Sequence, residues 1–240
     1  MSTTRIAMWS GPRNVSTALM YSFSARGDCA VWDEPFYAAY LDATGLDHPM
    51  RAAILEAHEP DPDHVASACR GPAPGGWPLF YQKHMAHHMV PGIPRAWMRS
   101  CLNVFLVRHP ARVVASYAKK RAGAEPDDLG FDLMEELFDE VAGWSGEAPP
   151  VIDGDALRAD PEAVLQRLCA RLGIPWTPRM LRWPPGARPY DGAWAPHWYA
   201  AVHRSTGFDP DPGPLPPLGG RYADLAAAGL PGYERLLGYA

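Results

Sequence analysis

The side chains able to do chemistry in this chain sit at the ends of short apolar runs. In the first such stretch, Ser10-Gly11-Pro12-Arg13-Asn14-Val15-Ser16-Thr17 follows Ile6-Ala7-Met8-Trp9. An unbroken apolar run suits a central parallel strand buried on both faces. Gly and Pro then make a tight turn. Ser16 or Thr17 is expected to cap a helix whose Leu19, Met20 and Phe23 share one face. A strand, turn and helix in this order aim backbone N–H groups and a positive helix end at one point, which favours an anion. Arg13 adds a fixed charge, so the stretch reads as a phosphate loop. It departs from the ATP-binding pattern G-x-x-x-x-G-K-[ST]. Counted from Gly11, the second Gly falls on Ser16, the Lys on Thr17 and the Mg²⁺-holding hydroxyl on Ala18.

A second stretch, Asn103 to Lys120, joins the apolar run Val104–Val107 to Arg108, with Pro110 at the first turn of a helix that buries Val113, Val114 and Tyr117. Arg108 stands where a metal-dependent NTPase usually carries an acid for Mg²⁺. Ser116 follows it by eight residues.

The third stretch is Lys83-His84-Met85-Ala86-His87-His88, after the predicted strand Leu79–Gln82. Adjacent His87 and His88 with no carboxylate beside them make a poor metal site, so no metal is expected. Acid–base chemistry suits histidine better. Neighbouring residues on a strand point to opposite faces. His84 therefore serves as base only if the strand has ended, whereas a helix starting there would put His87 on the face of Lys83. The order of expectation is His84, then His87. Asp33-Glu34, at the end of the predicted strand Cys29–Trp32, can orient an acceptor or act as the base.

These stretches resemble the sulfotransferases that use 3′-phosphoadenosine 5′-phosphosulfate (PAPS). Their 5′-phosphosulfate loop runs P-K-S-G-T-T; here Pro12-Arg13-Asn14-Val15-Ser16-Thr17 has Arg for Lys and Val for Gly. Arg108, Pro110 and Ser116 match the family's 3′-phosphate motif. The family's K-x-H, Lys toward the bridging oxygen and His as base, is off by one at Lys83-His84. A late Gly-x-Trp loop that closes over the nucleotide is matched loosely by Gly192-Ala193-Trp194, with Trp194 implied to stack on adenine. The resemblance implies sulfuryl transfer from PAPS to a hydroxyl or amine of a small molecule, with 3′,5′-ADP as product and no metal. An atypical small-molecule kinase, or a nucleotide-binding protein without turnover, are the alternatives.

What must position these residues is legible more coarsely. At 240 residues, 47% hydrophobic, the chain suits one α/β domain with a mainly parallel sheet of about five strands, helices on both faces and the site at the carboxyl ends. Residues 184–217, rich in proline and aromatic residues, are expected to cover the site. A net charge of −5 argues against nucleic-acid partners. Four widely spaced cysteines suit a reducing cytosol, and no signal peptide or membrane span is read. Oligomeric state has no sequence signal.

Overall fold

A computed structural model describes residues 3–121, 123, 125–209 and 213–240. Strands β1 (Thr4–Ser10), β2 (Cys29–Asp33), β3 (Leu79–Met85), β4 (Leu102–Val107) and β5 (Val151–Asp153) form one sheet in the order β2-β3-β1-β4-β5. All its pairings are parallel. The helices are α1 (Ser16–Ser24), α2 (Tyr37–Thr44), α3 (Arg51–Ala57), α4 (Pro62–Cys69), α5 (Pro110–Ala118), α6 (Pro126–Leu129), α7 (Phe131–Ser145), α8 (Gly154–Ala159), α9 (Pro161–Arg171), α10 (Ala195–Trp198) and α11 (Arg221–Leu237).

The alternation of β1 builds two cores. Ile6 and Met8, with Tyr81, Val104 and Leu106, pack under α1 and α9 through Leu19, Phe23, Leu165 and Leu168. Ala7 and Trp9, with Phe105 and Val107, pack on the other face against Trp97 and against Met134 and Phe138 of α7. Each fully buried large apolar side chain stabilises the fold by about 1.5–3 kcal/mol, so β1 anchors the molecule at the middle of its sheet. Local signals place the helix starts. Asp61 Oδ1 accepts from the Asp63 N–H over 2.8 Å and Asp160 Oδ1 from the Ala163 N–H over 3.0 Å, each before a proline at the first helical turn.

One expectation is revised here. No side chain caps α1; its N-cap position is Val15, in the left-handed region at φ 67°. The segment after Trp194 makes a single turn, α10, followed by a short 3-10 turn at Val202–Arg204. Residues 210–212 of the predicted covering loop lie outside the described residues.

Candidate active site

The carboxyl ends of the strands open into a cavity of about 1180 Å³. Its floor is the loop after β1. Gly11 is required there, because a Cβ would lie 2.9 Å from the Leu129 carbonyl oxygen. Arg13 and Val15 both take left-handed backbone conformations, at φ 63° and 67°. The loop therefore curls as a glycine-containing loop would, although valine occupies the turn before α1. Residues 12–18 all line the cavity, and with no side-chain cap on α1 its first-turn N–H groups stay available to a ligand.

The strand order divides the cavity into two halves. On the side of β4 and β5, Arg13, Arg108 and Ser116 come together. Arg13 Nε donates to Ser116 Oγ over 2.9 Å, and Arg108 Nη1 donates to the Arg13 carbonyl over 3.0 Å. Arg108 Nε also donates to Asp155 Oδ1 over 3.2 Å. Asn14 is buried, its amide donating to the Leu106 carbonyl over 3.1 Å. Burial lowers the pKa of both arginines, and the neighbouring Arg108 charge lowers that of Arg13 further. An anion between them relieves both penalties. Arg158, Arg182, Arg204 and Phe208 also line the cavity.

On the side of β2 and β3, Lys83 is 1% exposed. Its ammonium donates to Asp33 Oδ1 (2.9 Å), Glu34 Oε1 (2.5 Å) and the Tyr199 hydroxyl (2.8 Å). Burial lowers the Lys83 pKa, but the two carboxylates more than offset this and hold it above the ordinary lysine value. Glu34 sits at φ 41°, a conformation that an ordinary side chain resists, and its pKa is raised by burial against the opposing pull of Lys83. Glu34, Tyr37, His48, His87, His88, Tyr117, Trp198 and Tyr199 line this half.

The expected first candidate for the base is not among them. β3 runs through Met85, so Lys83 pairs with Met8 and His84 with Trp9, on opposite faces. His84 lies 2% exposed between the rings of Trp9, Phe36 and Trp97, and burial pushes its pKa down to about 3. The strand simply continues past the point where the motif would have needed it to stop. His87 does reach the cavity from a 3-10 turn, Ala86–His88, also with its pKa pushed down to about 3 by burial. Trp194 is corrected likewise. It is 1% exposed, packs against Tyr37 and His58, and donates to the Tyr199 hydroxyl over 2.9 Å, outside the cavity lining. Gly192 belongs to this packing, since a Cβ there would lie 2.2 Å from the Trp194 ring. The covering segment contributes Trp198, Tyr199 and residues 204–209 instead. Tyr199, Trp198 and His48 have no spacing signal that ties them to the loop after β1; only the fold assembles them.

Fold and site together describe an α/β protein with a phosphate-loop-like turn after β1 and arginines lining the cavity above it. The sequence matches the family described as "Sulfotransferase domain" over residues 4–240, and the chain belongs to that family. It is 38% identical over 203 residues to two Arabidopsis thaliana proteins, "Branched-chain-amino-acid aminotransferase-like protein 2" and "Branched-chain-amino-acid aminotransferase-like protein 1". The match covers 85% of this chain and 36% of each of them, so the chain spans about a third of the length of the curated relatives it matches. Among solved structures, "Sulfotransferase Domain from the Curacin Biosynthetic Pathway" aligns at 16% identity and a TM-score of 0.48, over 95% of this chain and 97% of that one. Among the described residues, no group of His, Cys, Asp and Glu is arranged to hold a metal ion, and no helix is long and apolar enough to cross a membrane. All four cysteines are free.

Proposed function

We propose that the chain transfers a sulfuryl group from PAPS to a hydroxyl or amine of a small-molecule acceptor. The observation that carries this reading is the meeting of Arg13, Arg108 and Ser116 beside an uncapped helix start. In this reading the N–H groups of residues 12–17 and Arg13 hold the 5′-phosphosulfate and stabilise the charge gathering on the leaving phosphate. Arg108 and Ser116 hold the 3′-phosphate. Phe208, which lines the cavity, replaces Trp194 as the face for adenine. Fixed cations do the neutralisation that Mg²⁺ does in ATP enzymes. Lys83, its three N–H groups engaged by Asp33, Glu34 and Tyr199, ties down Glu34 from the β3 side. Glu34 takes the acceptor proton in place of His84, because it lines the cavity and a raised pKa makes it a stronger base.

The test is calorimetric titration with 3′,5′-ADP and AMP. The expected result is at least about tenfold tighter binding of 3′,5′-ADP, roughly 1.4 kcal/mol, with most of the preference lost in Arg108→Ala. Equal affinity for the two nucleotides overturns the donor assignment. An absolute Mg²⁺ requirement for transfer, tested with excess EDTA, would favour a kinase.

A further inference from the structure

The register of the last strand pair decides which acid meets Arg108. β4 and β5 pair with Val107 opposite Asp153, so Arg108 and Asp155 follow just beyond the same rung of the sheet. Asp153 caps α8, accepting from the Asp155 and Ala156 N–H groups over 3.3 and 3.2 Å. Gly154 lets this corner press on the loop after β1. A Cβ there would lie 3.3 Å from the Val107 carbonyl oxygen and 3.5 Å from that of Asn14. The backbone that carries Asp155 is thus held from both sides.

Its carboxylate is shared between two arginines. Oδ1 accepts from Arg108 Nε over 3.2 Å, and Oδ2 accepts from Arg112 Nε over 2.7 Å. Arg108 Nη1 donates in turn to the Arg13 carbonyl over 3.0 Å. Of the three guanidinium nitrogens of Arg108, only Nη2 has no hydrogen-bond partner among the described residues. Arg108 lines the cavity, whereas Asp155 does not. A planar guanidinium held by two of its nitrogens has its remaining donors aimed in advance. An arginine without such ties would lose rotamer freedom on meeting a ligand, and affinity would fall accordingly. Burial lowers the Arg108 pKa, and the Arg158 and Arg112 charges lower it further, while Asp155 opposes all three.

We propose that Asp155 is a positioning residue: it holds Arg108 by the Nε edge so that Nη2 meets the 3′-phosphate, and it thereby sets the preference for a nucleotide bearing that group over one without it. The proposal rests on the sulfuryl-transfer reading above. Asp155 touches no ligand and moves no proton. It also has a second tie, because Arg112 donates to the Gly213 carbonyl over 2.6 Å and so links Asp155 to the covering segment. A purely structural role would act through that link and would affect every nucleotide alike. The sign of the effect is a test in itself, since a carboxylate beside an anion site repels as well as orients.

The experiment titrates 3′,5′-ADP and AMP into five full-length proteins by calorimetry: the parent, Asp155→Ala, Asp155→Asn, Arg108→Ala, and Asp155→Ala combined with Arg108→Ala. Asp155→Ala should weaken 3′,5′-ADP binding at least about fivefold, the worth of one immobilised side chain, with AMP affinity within about twofold of the parent. Asparagine keeps one acceptor oxygen for the two arginines, so Asp155→Asn should recover part of that loss. In the Arg108→Ala background, Asp155→Ala should change 3′,5′-ADP affinity by less than about twofold, because the residue it acts through is gone. The proposal is overturned if Asp155→Ala weakens both nucleotides equally, if it leaves 3′,5′-ADP unchanged or tightens it, or if it costs as much without Arg108 as with it. Should the alanine variant not fold, Asp155→Asn carries the test: a measurable loss confined to 3′,5′-ADP supports the proposal, and parental selectivity overturns it. A parent protein that does not prefer 3′,5′-ADP to AMP overturns the donor reading and this proposal together. A parental preference that no Asp155 variant alters overturns this proposal alone.

Discussion

Arg13 and Ser116 lie 103 residues apart in sequence, and Arg13 Nε donates to Ser116 Oγ over 2.9 Å across the cavity floor. One belongs to the loop after β1 and the other to α5, so the two anion-binding stretches are joined before any ligand arrives. Their contributions to nucleotide affinity should therefore couple. In a double-mutant cycle with Arg13→Ala and Ser116→Ala, 3′,5′-ADP titration should give an interaction energy of about 0.5–1.5 kcal/mol. Strictly additive losses would mean that the bond plays no part in binding.

Val15 keeps a left-handed backbone at φ 67° in spite of its branched side chain. Such strain costs roughly 1–3 kcal/mol, while glycine loses about 0.5–1 kcal/mol through its freer unfolded chain. Val15→Gly should gain about 1 kcal/mol in denaturant unfolding at unchanged slope. A loss of stability would show that Val15 contributes contacts that outweigh its strain.

How much of this was readable beforehand depends on distance along the chain. Arg108 and Ser116 were legible because one strand end and the start of one helix fix both, eight residues apart. The loop after β1 was legible for the same reason, apart from its cap. Strand alternation puts Lys83 and His84 on opposite faces only if β3 runs through both, and where β3 ends is set by its pairing with β1 through Ser10↔Met85, which no local pattern encodes. Glu34 was visible as a strand-end acid, yet its turn to φ 41° was not, since glutamate does not advertise that conformation. Trp194 and Trp198 look equivalent in sequence. One turn of helix sends the first into the core with Tyr37 and leaves the second on the cavity.

The buried imidazoles of His84, His87 and His88 should make the protein sensitive to acid. His84 has a folded pKa of about 3, against about 6.5 in an unfolded chain. The unfolded chain therefore takes up the proton first, and the stability due to keeping this ring neutral is complete above about pH 6.5 and lost as the pH falls toward 3. His84→Phe should flatten the fall of unfolding free energy between those values. It should also cost about 1–3 kcal/mol at pH 8, because Gln82 Oε1, 3.2 Å from His84 Nε2, loses its donor. Parallel pH profiles for the two proteins would sink the argument.

As the proposed base, Glu34 can take a proton only as a carboxylate, and burial raises its pKa above that of an ordinary glutamate. The transfer rate should rise with pH through a limb that lies above the usual carboxylate range. Glu34→Gln should remove that limb and lower kcat by about 10²–10⁴-fold while leaving 3′,5′-ADP affinity nearly unchanged. A limb that survives in Glu34→Gln would assign it to another group, with His87 the next to test.

The Tyr199 hydroxyl bonds to Asp33 at 2.9 and 2.8 Å, and also meets Lys83 and Trp194. This gives the site a timetable. All five strands are complete once Asp153 has emerged during synthesis, and the sheet can assemble on its own order. The cavity wall at 198–209 arrives only afterwards. Until Tyr199 docks, Asp33, Glu34 and Lys83 face water rather than a closed pocket. A nascent chain can therefore hold all five strands some 45 residues before Tyr199 completes this side of the cavity. Translation that stalls in this interval would leave the strands present with the site unfinished.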